Sequence, residues 1–346
     1  LILSSSCSKK TNEDPIQESE FIRSVDLSSF PKIESKNLAF FNFDGIQEEL
    51  ITTLKNSGVN VVRLRIWNNP SNKHNSFDEV ATFSHRLKNL GFKVWITIHY
   101  SDTWADPGNQ TPPSNWQSIT YAALKDSVYR YTEKIVREID PEYIQIGNEI
   151  NSGLLFPYGN ITSNESQFIE LISTGIDAIR DNSNDTKIII HFAGLSGSNW
   201  FFGKVKNVDY DIIGLSYYPI WHGKDINQLK TTLSNLVQSY NKEIIIAETA
   251  YPFTLGWNDW TNNIVGLETH LILPDFPATN KGQKNFISKI REIVESTNKG
   301  IGFCYWGGEL IAFDGPESEN GSPWENQALY DFNNKALPVM NDFYIE

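Results

Sequence analysis

Short runs of β-branched and aromatic residues alternate with longer segments of mixed polarity from residue 21 onward. Eight such runs predict strands, at 23–28, 60–67, 93–100, 143–148, 187–193, 211–218, 243–247 and 300–306. Most are apolar without alternation, the pattern of strands covered on both faces in a parallel sheet. Between them the apolar period changes to three and four. Over 121–139, Leu124, Val128, Tyr131, Ile135 and Ile139 fall on one helical face. Segments 44–56 and 77–89 read as the first two helices. Gly58, Gly91 and Gly300 stand just before strands, where a helix C-cap belongs.

Eight consecutive βα units place the chain in the α/β class and predict a closed (β/α)8 TIM barrel. A doubly wound open sheet is the alternative, and it normally carries a Gly-rich phosphate turn after its first strand. Here that turn reads Leu27-Ser28-Ser29-Phe30-Pro31. A length of 346 residues suits one barrel domain. Two connections, 100–116 and 251–282, are long and aromatic-rich. Both follow strands, so they are expected at the C-terminal face, where barrel active sites are built.

Composition adds a substrate class. The chain has 10 Trp, 14 Tyr and 20 Phe, several in polar, turn-rich segments. An exposed ring is a flat apolar platform on which the C–H face of a sugar can stack. The net charge of -13 repels phosphate backbones, so no nucleic-acid partner is expected and a neutral substrate fits better. Of the two cysteines, Cys304 lies in the apolar run Ile301-Gly302-Phe303-Cys304-Tyr305 and reads as a buried small hydrophobe.

Cys7 ends the stretch Leu1-Ile2-Leu3-Ser4-Ser5-Ser6, which resembles the end of a bacterial lipoprotein signal. Residues 1–20 then read as signal remnant and tether, and 21–346 as the catalytic domain. An ordinary secretory remnant is the alternative. Either reading predicts an extracytoplasmic protein: a cell-surface or outer-membrane lipoprotein, otherwise secreted. The apolar stretch is too short to span a bilayer. Membrane contact is therefore expected only through a lipid on Cys7, and the protein is expected to be a monomer.

Two strands run into acids. The run 143–147 leads into Asn148-Glu149-Ile150-Asn151, and 243–247 leads into Glu248-Thr249. Polar groups closing apolar strands cost burial energy unless they are used. These are the fourth and seventh strands, and glutamates there can face each other across a sugar. Glycosidic cleavage needs such a pair: one carboxylic acid protonates the leaving oxygen while a carboxylate attacks the anomeric carbon. A lone strand-end glutamate is more often an ion-pair partner, but two at matched positions favour chemistry.

Three segments resemble the endo-β-1,4-galactanases of glycoside hydrolase family 53. They are Gly58-Val59-Asn60-Val61-Val62-Arg63-Leu64-Arg65-Ile66-Trp67-Asn68-Asn69-Pro70, His99-Tyr100-Ser101-Asp102-Thr103-Trp104-Ala105-Asp106-Pro107-Gly108 and Gln145-Ile146-Gly147-Asn148-Glu149-Ile150-Asn151-Ser152-Gly153. The resemblance implies retaining endo-hydrolysis of β-1,4-galactan in pectin side chains, with Glu149 as acid/base and Glu248 as nucleophile. It also implies that Asn148 meets the sugar 2-hydroxyl. Arg65, His99 and Tyr218 would orient and charge-balance the nucleophile, with Tyr217 the rival of Tyr218, and Arg63 able to replace Arg65. Trp67, Trp104 and Trp306 would stack on sugars, and Trp116, Trp257 and Trp260 would line outer subsites or anchor their loops. Asp102 and Asp106 would bind hydroxyls or brace their loop.

No cofactor is required. Some relatives carry an acidic calcium-binding stretch after strand seven, but here it reads Leu255-Gly256-Trp257-Asn258-Asp259-Trp260-Thr261-Asn262-Asn263, a weak cage, so calcium is disfavoured. Gly307-Gly308-Glu309-Leu310 also departs from the Glu-Pro pair more usual near there. The alternatives are a related hydrolase of cellulose or mannan, and a non-catalytic lipoprotein that captures glycan.

Overall fold

The computed structural model describes residues 20–344. All eight predicted runs form strands: β1 Ile22–Asp26, β2 Val61–Ile66, β3 Lys93–Ile98, β4 Tyr143–Ile146, β5 Lys187–Ala193, β6 Ile212–Ser216, β7 Glu243–Thr249 and β8 Gly300–Tyr305. They pair parallel in chain order and close into a barrel. The seam joins Ile22 to Gly302 and Val25 to Tyr305. A Cβ on Gly302 would lie 2.3 Å from the Ile22 carbonyl oxygen, so the seam requires glycine there.

Helices cover the outside. Phe77–Asn89 starts on Ser76, whose side chain accepts from the Glu79 N–H, and carries Asp78 and Glu79 in its first turn. Tyr121–Ile139 starts on Thr120 and buries Leu124, Val128, Ile135 and Ile139, with Tyr131 half-buried. A short 3-10 helix, Pro338–Phe343, takes the eighth outer position and packs on helix Asn280–Glu295. No helix among the described residues is long and apolar enough to cross a membrane.

Two local expectations change. The helix predicted over 44–56 begins only at Leu50. Ahead of it, Asn42 Oδ1 accepts from the N–H groups of Asp44 and Ile46, and this turn competes with helix. Gly58 and Gly91 are left-handed as a C-cap requires, but before β8 that role falls to Lys299. Gly300 is small for another reason: a Cβ would lie 2.0 Å from the Val294 carbonyl oxygen. The expected lipid anchor on Cys7 lies outside the described residues. Glu20, assigned to the tether, already contacts Arg23 at 3.1 Å.

The barrel interior changes polarity along its axis. Its lower half packs Ile22, Val61, Trp95, Ile189, Ile212, Ile245 and Cys304. Toward the C-terminal strand ends the buried residues become Asp26, Arg63, Gln145, His191, Ser216 and Glu248. A polar layer this deep persists only if its groups satisfy one another.

Candidate active site

Arg63 organises that layer and is 1% exposed. Its Nη1 lies 2.8 Å from Asp26 Oδ2, and its Nη2 lies 2.8 Å from Glu248 Oε1. Nη2 also donates to Asn148 Oδ1 at 3.0 Å and to Gln145 Oε1 at 3.2 Å. Burial alone would loosen its proton, but Glu248 and Asp26 outweigh that and raise its pKa. Glu248 is closed in from the other side by the Tyr218 hydroxyl, which donates to Oε2 at 3.1 Å.

Glu149 stands where the chain leaves β4 in a tight reversal, with Gly147 at φ 73° and Glu149 at φ 46°. A directed chain of hydrogen bonds holds it. His191 Nδ1 meets two donors, the Glu149 backbone N–H and the Gln145 amide at 3.0 Å, against one acceptor, Asn148 Oδ1 at 3.2 Å, and this balance favours the His191 proton on Nε2. Nε2 lies 2.9 Å from Ser216 Oγ, and the Ser216 hydroxyl donates to Glu149 Oε1 at 2.6 Å. Burial, with Arg63 nearby, keeps the His191 pKa well below its ordinary value, consistent with a neutral ring.

An oxygen of each glutamate and a ring nitrogen of His191 lie within 4.8 Å of one another. One oxygen of Glu149 and one of Glu248 thus approach closely enough for the two carboxyls to act on the same glycosidic bond. Burial and then the Glu248 charge push the Glu149 pKa up to about 8. Burial raises Glu248 as well, but Arg63 and Tyr218 act against it. The guanidinium contact holds Glu248 as the carboxylate, so the proton of the pair resides on Glu149. The trio has the composition of a metal site, yet both His191 nitrogens are engaged and a guanidinium already touches Glu248.

The carboxyls open into a cavity of about 480 Å³ walled by Trp104, Trp221, Trp306 and Trp324. Residues 22–343 match the family described as Glycosyl hydrolase family 53. The chain belongs to that family. It is 32% identical to an arabinogalactan endo-beta-1,4-galactanase of Cellvibrio japonicus, over 92% of this chain and 89% of that one. Among solved structures it is similar to the GH53 catalytic domain of Ignisphaera aggregans, with 35% identity, a TM-score of 0.88 and coverage of 95% and 97%. A fungal beta-1,4-galactanase structure follows at 31% identity and a TM-score of 0.79, covering 93% and 98%.

Within this family 53 site the structure brings together Glu149, Glu248, Asn148, Arg65, His99, Tyr218, Trp104 and Trp306 as lining residues. Arg65 does not pair with Glu248. It lies nearer the rim, with its guanidinium 3.9 Å from the Trp104 ring, and it bonds Ser29 Oγ, while the deeper Arg63 reaches the carboxylate. Burial lowers the Arg65 pKa to about 10. His99 Nδ1 accepts from the Ala105 N–H, which leaves the ring proton on Nε2, and burial beside Arg65 keeps it neutral. Asn148 donates one amide N–H to the Ala105 carbonyl and keeps a second uncommitted.

Other expected contacts are corrected. Tyr217, the residue after β6, is fully buried outside the barrel, where its hydroxyl bonds the Gly223 carbonyl and its ring stacks on Phe286. Adjacent strand residues face opposite sides, so only Tyr218 can enter the barrel mouth. Asp102 spends both oxygens bracing its loop, accepting from Asn69 and Ser114, and does not line the cavity. Asp106 lines the cavity while its Oδ1 closes a turn onto Gly108 and Asn109. Trp67 is half-buried behind Trp104 and is not a lining residue. Trp116 anchors its loop against Tyr100 and Tyr131, and Trp257 and Trp260 are exposed away from the cavity lining.

Several residues were missed from sequence. His191, Gln145 and Ser216 are polar positions inside apolar strands, and Asp26 closes β1. Trp221 rides on the short helix Pro219–His222, and Trp324 comes from the connection after β8. Glu309, in the same connection as Trp324, is buried without lining the cavity. Its Oε1 accepts from the Ser29 N–H, and burial with Asp26 nearby pushes its pKa up to about 8.

Proposed function

We propose that this family 53 chain is a retaining endo-β-1,4-galactanase acting on galactan and arabinogalactan side chains of pectin. One observation carries the reading: two facing carboxyls that bring one oxygen each within 4.8 Å, of which only Glu248 touches a cation. The galactanase names of its relatives support the choice of sugar. Glu149 protonates the leaving oxygen as Glu248 attacks the anomeric carbon and a glycosyl-enzyme forms. Forming that ester removes the negative charge that helped raise the Glu149 pKa, so Glu149 becomes a competent base for the incoming water. Asn148 offers its free amide proton to the 2-hydroxyl, His99 donates through Nε2, and Trp104 and Trp306 supply platforms. No cofactor enters the scheme. All these groups come from one chain, which supports action as a monomer.

Hydrolysis of galactan, mannan and cellulose, with product sizing, tests the reading. Short β-1,4-galacto-oligosaccharides are expected from galactan, with the β-anomer appearing first by NMR. Glu149→Gln and Glu248→Gln are each expected to abolish turnover while binding persists. Full activity in either variant, or an initial α-product, would refute the roles given to the pair.

The stretch at residues 1–7 further supports a lipid-anchored, extracytoplasmic location. Cys7→Ala should then release the protein from membranes, and equal membrane retention of the variant would refute the anchor.

A further inference from the structure

A second groove of about 500 Å³ lies on the flank of the barrel, between helices Ser198–Lys204 and Ile226–Tyr240. It shares no lining residue with the catalytic cavity. Leu195 and Leu236 form a buried apolar floor. Trp200 stands in the wall at 52% exposure, unlike Trp116, which its loop buries to 7%. Lys204 lies 5.5 Å from the Trp200 ring, and its charge is paired with Glu165.

The rest of the wall is made of amides and hydroxyls. Asn235 and Gln238 stand three residues apart on Ile226–Tyr240, so they share one face. Their side chains, and the Trp200 indole N–H, form no hydrogen bond to another described residue. Asn199 by contrast accepts from the Tyr240 hydroxyl. Every residue lining the groove is uncharged, in a chain of which 21% is charged. An exposed aromatic ring, uncommitted amide donors and acceptors, and no charge together form the chemistry that recognises a neutral sugar chain. The volume falls in the range of sites that enclose small ligands. A protein or nucleic-acid partner would instead call for charge or a broad apolar face.

We propose that this flank groove is a second glycan-binding site, which holds a neutral hexosan through Trp200 stacking and Asn235 and Gln238 hydrogen bonds. It would keep the enzyme on the polymer while the catalytic cavity cuts. The identity of the sugar rests on the galactanase reading, whereas the groove does not. Native gel retardation in β-1,4-galactan, with mannan and a soluble cellulose derivative in parallel, tests it for the wild type, Trp200→Ala and the double variant Asn235→Ala, Gln238→Ala. Retardation in galactan is expected to weaken roughly tenfold in both variants. Turnover of short soluble galacto-oligosaccharides should stay within about twofold of wild type, which also certifies the fold. If wild type does not cut galactan but Trp200-dependent retardation occurs in mannan or cellulose, the site stands and the substrate reading falls. Retardation unchanged in both variants in every gel would overturn the site.

Discussion

Ser216 sets how tightly Glu149 holds its proton, and this can be measured. Its Oγ lies 2.9 Å from His191 Nε2 and 2.6 Å from Glu149 Oε1. With the His191 proton on Nε2, the serine proton is directed at the carboxyl. That bond favours the ionised form and so restrains a pKa which burial and Glu248 have pushed up to about 8. Ser216→Ala removes the restraint. A hydrogen bond to a charged group contributes about 1.5–3 kcal/mol, and one pKa unit corresponds to about 1.4 kcal/mol. Water admitted to the vacated space recovers part of the loss, so a rise of about one unit is expected. The assay is the pH profile of kcat/KM on a soluble galacto-oligosaccharide, whose alkaline limb reports the free-enzyme acid. That limb should move from about 8 toward about 9, an alkaline gain from deleting an active-site group. Stability should fall by about 1 kcal/mol, since the His191 N–H loses its acceptor. An alkaline limb that stays put or moves down would show that Ser216 does not restrain the acid, or that Glu149 is not that acid.

Glu149→Gln should raise thermal stability in a pH-dependent way. The folded carboxyl binds its proton up to about pH 8 against an ordinary value of 4.5, so folding takes up a proton between those limits and wild-type stability declines as pH rises through them. The variant should therefore melt a few degrees higher above pH 8 and no higher below pH ~4, and a gap that shrinks with rising pH would contradict the shift. Arg63→Met leaves Asp26 and Glu248 buried without their cation, so urea unfolding should show a loss of about 3–5 kcal/mol and turnover should vanish. A near-neutral change would mean the two carboxyls find other partners. A chelator should leave the melting temperature unchanged. Asp259 already accepts from the Thr261 and Ser322 N–H groups, and Glu325 Oε1 from that of Asn258. The partnerless buried oxygens beside them are Glu325 Oε2, Asn263 Oδ1 and Asn326 Oδ1, and stabilisation by millimolar calcium would place a cation there.

The barrel was legible because its strands are covered on both faces, and continuous apolar runs leave little choice of element. The start of the helix after β1 was not, because the Asn42 side chain captures backbone N–H groups that a periodicity count assigns to a helix. The pair Glu149 and Glu248 was visible for a physical reason: an acid at the end of an apolar strand is either used or costly. The same reasoning, carried inside the strands, would have found more. Gln145, His191 and Ser216 interrupt apolar runs, and a both-faces-covered template absorbs them as core although each needs a buried partner. The choice between Arg63 and Arg65 is of another kind. Both point inward from β2, and neither neighbour tells them apart. What separates them is depth: the stagger of the closed sheet sets Arg63 level with Asp26, its register partner in β1, and within reach of Glu248 from β7 across the barrel. Closure fixes that level through all eight strands at once, so the residue that holds Glu248 is decided by the whole barrel and not by the segment that carries it.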